Sequence, residues 1–132
     1  MDDFKTARAL GWTSMAIAAT EILGQGVVER DLLGIDEHPA LLKALGMREA
    51  VAGATILSQK TITPTLAAGL WSRAAGDAMD LALLAAAGVR TRRPAALAAS
   101  TLMVVGITAL DIYAAVRVQQ RLQSASSEGS TP

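Results

Sequence analysis

Four Ala/Leu-rich apolar stretches occupy most of this chain, at residues 8–27, 40–58, 65–88 and 94–119. Alanine and leucine are strong helix formers. The alternation of a half-buried strand is absent, as are Asn-Gly and Asp-Gly turn pairs. The breaks between the stretches carry helix punctuation. Pro39 stands near the start of the second, "KTITPT" separates the second from the third, and Gly88 and Pro94 bracket the gap before the fourth. The expectation is an all-α fold of four helices with short connections. A shorter amphipathic turn is expected in the first connection, "VVERDLLGIDEHP".

With 132 residues the chain is long enough for one domain. The helical domain is expected over residues 1–122, and the polar stretch "QSASSEGSTP" at 123–132 is expected to be a disordered tail. Lys+Arg and Asp+Glu each total 12, so there is no basic surplus to neutralise phosphates, and no nucleic-acid partner is expected. The chain has no cysteine, which removes disulfides, thiolate metal sites and a cysteine nucleophile. The opening "MDDFKTARAL" is acidic before it is basic, unlike a signal peptide.

Residues are 52% hydrophobic but only 3% aromatic, and mean hydropathy is +0.36. A bilayer core about 30 Å thick needs about 20 apolar residues per helix. Stretches one, three and four are long enough, yet each carries internal charge, and the longest charge-free run is Pro94 to Leu110. A soluble bundle should show a wide polar face on each helix. "GWTSMAIAATEILGQGVV" does not: its polar groups are mainly hydroxyls and Glu21, with small residues all round. Small residues let membrane helices pack closely. The balance favours a membrane bundle over a soluble helical oligomer.

The segments "EHPALLKALGMREAVAGATIL", "WSRAAGDAMDLALL" and "GITALDIYAA" resemble the helical membrane module at the N-terminus of bacterial proteins labelled cyclase/dehydrase. More distantly they resemble DoxX-like four-helix membrane proteins. The resemblance runs to about Arg121. In the cyclase/dehydrase proteins the module precedes a START-like lipid- or polyketide-binding domain. No such domain follows helix four in this sequence, so that domain's ligand binding is not carried over. The resemblance implies a four-helix transmembrane bundle, multi-pass, in the bacterial inner (cytoplasmic) membrane. It also favours cytoplasmic termini, against which the cluster Arg90, Arg92 and Arg93 argues.

A charge at mid-bilayer costs at least about 2.5–3.5 kcal/mol, so charges within the helices should face inward and pair. The candidates are Glu21, Arg48, Glu49, Arg73, Asp77, Asp80 and Asp111. Arg73, Asp77 and Asp80 are spaced i, i+4, i+7 and share one helix face. Counting about 1.5 Å of rise per residue separates them into two levels. Arg48 is expected to meet Glu21 or Asp80, and Arg73 to meet Asp111, with Asp77 within its reach. Five acids face two arginines in this set, so at least one acid, Asp77 first, is expected to carry a proton or to bond hydroxyls. Gly53, Gly69, Gly76 and Gly106 are the expected close helix contacts.

No catalytic or metal-binding motif is present. His38 is the only histidine, and beside Asp36 and Glu37 it has no trustworthy ligand spacing. Trp12 and Trp71, in the first turns of their helices, and Tyr113 read as interfacial anchors. The functional expectation is a small non-enzymatic membrane protein, an accessory or assembly subunit of a larger membrane complex, held together by buried Arg/Asp/Glu pairs. Its partners would be membrane lipids and other membrane subunits or copies of itself. No cofactor is called for. The alternative is a membrane ligand module whose interior polar cluster takes a quinone, a lipid or a proton.

Overall fold

Among the residues described by the computed structural model, 2–23, 39–88 and 94–128, the chain is all-helical, with four helices and no strand. These are α1 (Asp3–Leu23), α2 (Pro39–Ser58), α3 (Pro64–Gly88) and α4 (Pro94–Glu128). The amphipathic first connection, His38 and the arginines at 90, 92 and 93 lie outside the described residues.

Local chemistry sets the helix ends. Asp2 caps α1, its Oδ1 accepting the amide of Phe4 at 3.1 Å. Thr63 caps α3 by accepting the Leu66 amide at 3.1 Å, with Pro64 at the first helical position. α2, α3 and α4 all begin on a proline, whose fixed φ suits the first turn and whose missing N–H is not needed there.

The tail expected from residue 123 does not begin there: α4 continues to Glu128. No glycine or proline occurs between Gly106 and Gly129. The Ser124 and Ser126 hydroxyls donate back to the Gln120 and Leu122 carbonyls at 3.0 and 2.9 Å. Serine-rich composition there is compatible with helix because each hydroxyl finds its partner one turn back.

The buried residues follow helical spacing. In α1 they are Asp3, Ala7, Leu10, Gly11, Ser14 and Ala18. In α3 they include Leu66, Leu70, Arg73 and Asp77, and in α4 Asp111, Ala115 and Val118. α1 packs most closely on α2 and α3 on α4, with a thinner seam between α2 and α3. At the end of the bundle holding the start of α1, the core is apolar: Ala7, Leu10, Ile56, Leu66, Leu70, Ala114, Ala115 and Val118, with Phe4, Ile62 and Leu122 packed against it.

By length and composition alone, only α4, over Ala98–Glu128, is apolar enough among the described residues to cross a membrane. The physical reason is the charge inside the others: Arg73, Asp77 and Asp80 in α3, and Lys43, Arg48 and Glu49 in α2.

Candidate functional site

Beyond the apolar core the bundle interior is polar. α3 presents Arg73 to the centre, where it is 1% exposed. Its Nε donates to Asp111 Oδ1 on α4 at 2.9 Å. Its Nη1 donates to Glu49 Oε2 on α2 at 3.1 Å. The same Glu49 oxygen accepts the Ser14 hydroxyl of α1 at 2.6 Å. One guanidinium thus ties its own helix, α3, to three others: α2 and α4 directly, and α1 through Glu49.

A second guanidinium extends the network. Arg48 Nη2 donates to Glu49 Oε1 at 3.0 Å and to Asp80 Oδ2 at 2.9 Å. Its Nη1 donates to Asp80 Oδ1 at 3.3 Å and to the Gly76 carbonyl at 3.1 Å. The two-point grip on Asp80 is the strong geometry for an arginine–carboxylate pair.

The expected separation into two levels is therefore replaced by one connected network. Arg73 pairs with Asp111 and Arg48 with Asp80, but Glu49 bridges them by giving one oxygen to each arginine. Arginine side chains reach several ångströms along the bundle axis, so counting Cα rise places them too strictly. Glu21 packs beside Gly46 and feels the charges of Asp80, Glu49 and Arg48, yet its Oε2 is buried without a partner.

Asp77 lies close enough to Asp111 and Arg73 to feel the charges of both. Around this spot Arg73 Nη2, Asp77 Oδ2 and Asp111 Oδ2 are all buried without a protein partner. The site thus holds donor and acceptor capacity that the described protein atoms do not use, which suits a small polar guest or a proton.

The glycines divide. A Cβ on Gly53 would lie 2.9 Å from the Gly11 carbonyl oxygen and 2.9 Å from Ser14 Cβ, so α1 and α2 touch there through backbone. Gly69 faces Ile56 at 3.1 Å. Gly76 makes room for a side chain rather than a helix: a Cβ there would stand 2.6 Å from the Arg48 guanidinium carbon. Gly106 makes no contact, since nothing among the described residues comes within 4 Å of its Cβ position. It sits on the outward arc of α4, one turn from the exposed Leu102 and Leu110, while the inward face is carried by Ser100, Asp111 and Ala115.

One charged cluster was not legible in the sequence. Asp3, at the start of α1, is 3% exposed and takes the Nε of both Arg117, at 3.5 Å, and Arg121 from α4. The Arg121 hydrogen bond first, and the nearby Arg117 charge, hold its carboxyl below the usual carboxylate range against the opposing effect of burial. The i, i+4 spacing of the arginines was the available signal, but their partner lies over a hundred residues away. Trp71 is also tied at this end, its Nε1 donating to Gln119 Oε1 at 2.9 Å. Among the described residues no group of three metal-ligating side chains occurs.

The chain finds no match among protein-family models, curated proteins or solved structures.

Proposed function

We propose that this chain is a small, non-catalytic integral membrane protein of the bacterial inner (cytoplasmic) membrane, crossing it four times and serving as an accessory or assembly subunit of a larger membrane complex. One observation carries the reading. The burial pattern is inverted relative to a water-soluble bundle: Arg73, Glu49, Asp77 and Asp111 are buried, while Leu102 is 73% exposed, Val51 66% and Met47 64%. In water that arrangement leaves apolar surface uncovered while desolvating charge. In lipid it puts hydrocarbon outside and paired polar groups inside.

Helix length supports the reading. At about 1.5 Å per residue, α1 and α2 are roughly 30 Å long, near the thickness of a hydrocarbon core. The exposed Trp71, bonded to Gln119 near the far end of α4, suits an interfacial level. The subunit role rests on the outward arc of α4, with Leu102, Met103, Val105, Leu110, Ile112 and Val116 all exposed, a surface that a partner helix could cover.

A specific observation favours the ligand reading as a second possibility. A groove of about 540 Å³ opens along the α2–α3 seam between small and hydroxyl side chains, among them Ala52, Thr55, Gly69 and Ser72, with Arg48 on its lining. An elongated lipid or quinone would place its body along the groove and an acceptor at the guanidinium.

Purification in mild detergent separates the two. Stoichiometric recovery with larger membrane subunits supports the accessory role. Recovery alone with a defined bound small molecule favours the ligand module and counts against the first reading.

A further inference from the structure

We infer that Arg117 and Arg121 form a headgroup site for an anionic phospholipid at the end of the bundle holding the start of α1, gripping the lipid phosphodiester with the guanidinium edges that Asp3 leaves open. The inference rests on the membrane reading above.

The first observation is the bonding pattern. Both arginines approach Asp3 through Nε. Asp3 thereby uses both carboxylate oxygens, and the terminal nitrogens of both guanidiniums make no hydrogen bond among the described residues. The arginine side chains remain 46% and 56% exposed. Two positive groups against one carboxylate leave one formal charge, which equals the single negative charge of a phosphodiester. Arginine's planar donor edge suits phosphate oxygens.

The second observation is shape. Beside these arginines lies an open groove of about 610 Å³, lined also by Gln120 and Ser124, with Ile62 and Leu122 as its apolar wall. Gln120 and Ser124 can serve headgroup hydroxyls, and the apolar wall suits the glycerol and upper acyl carbons. Glu128 also lines the groove, but it lies seven residues beyond Arg121, roughly 10 Å further along the helix.

The third observation is level. Starting from Pro94, about 20 helical residues cross the hydrocarbon, so α4 leaves it near residue 114. Arg117 and Arg121 follow by roughly 5 and 10 Å, the depth of lipid phosphates. Trp71, bonded to Gln119, sits at the same level. The described ionisable side chains of this end are Lys5, Arg8, Lys60, Arg117 and Arg121 against Asp2, Asp3 and Glu128, a basic surplus that disfavours a cationic choline headgroup.

The test uses the full chain, delipidated in a neutral detergent, with phosphatidylglycerol, phosphatidylcholine or inorganic phosphate added. Lipid retention is read by native mass spectrometry and stability by thermal unfolding. Phosphatidylglycerol should be retained and raise the midpoint. The double variant Arg117→Gln/Arg121→Gln should weaken retention by roughly five-fold per arginine. Asp3→Asn guards against a variant that fails to fold: it keeps both arginines, frees their Nε groups and should retain the lipid at least as well as the natural chain. Equal retention of both lipids, or equal stabilisation by inorganic phosphate, overturns the inference. Recovery of the natural chain in the aqueous fraction of lysed cells would instead overturn the membrane reading itself.

Discussion

The two halves of this bundle are built from the same four helices but held together differently. The half at the start of α1 packs alanine, leucine, isoleucine and valine: Ala7, Leu10, Ile56, Leu66, Leu70, Ala115 and Val118. The other described half packs Ser14, Glu49, Arg73, Asp77 and Asp111. Apolar packing is weakly selective in lipid, because a leucine gains little by leaving lipid tails for another leucine. A buried guanidinium with fixed partners on two other helices is selective, since any slip in register strands a charge. The comparison assigns register to the polar half and close fit to the apolar half.

The sharpest way to break this division is to remove Arg73. Arg73→Met leaves Glu49 and Asp111 buried with a lost partner and should cost about 3–5 kcal/mol in reversible unfolding, or abolish assembly. Neutralising the partners as well, in Arg73→Met/Glu49→Gln/Asp111→Asn, should recover a substantial part of that loss. A triple variant as unstable as the single one would show that the charge itself is not what matters.

Gly53→Ala tests the close fit between α1 and α2. Its new methyl would meet backbone 2.9 Å away, and backbone yields less than a flexible side chain, so a loss of about 1–3 kcal/mol is expected. A change near zero in the same unfolding assay would mean that the helices are free to separate there.

The Asp3 cluster should contribute less, because its arginines are half exposed. Asp3→Asn is expected to cost about 1 kcal/mol. Its pH dependence has a definite sign. The folded-state pKa lies below the ordinary 3.8, so the contribution is complete above about pH 4 and is lost as pH falls through the lower folded value. A midpoint difference between the natural chain and Asp3→Asn that widened on acidification would contradict the assignment.

The smallest effect belongs to Gly106→Ala. With open space around it, the substitution should be neutral or slightly stabilising, by up to about 1 kcal/mol from helix propensity. A marked loss would reveal a partner surface on α4.

Sequence patterning carried the four helices because alanine, leucine and proline act locally. Charges inside apolar helices have few tolerable places, and Arg48, Glu49, Arg73, Asp80 and Asp111 join in one network, but Glu21 makes no ion pair with it among the described residues. The bridging role of Glu49 was not legible, because which acid lies between two arginines depends on helix stagger and side-chain reach. Gly106 faces outward among the described residues, because a glycine does not declare which face of its helix turns inward. Asp3 looked like an ordinary first-turn acid, and only the return of α4 beside α1 supplies its arginines.

The central claim is that, in the chain reconstituted without partners, the outward apolar arc of α4 meets lipid while the charges lie within. The chain lacks cysteine, so Met103→Cys, at a side chain 60% exposed, gives a unique spin-label site, with Lys5→Cys, 83% exposed, as the aqueous control. In reconstituted bilayers, relaxation by oxygen should exceed relaxation by a water-soluble nickel chelate at position 103, and the order should reverse at position 5. Strong relaxation by the nickel chelate at position 103 would contradict the account.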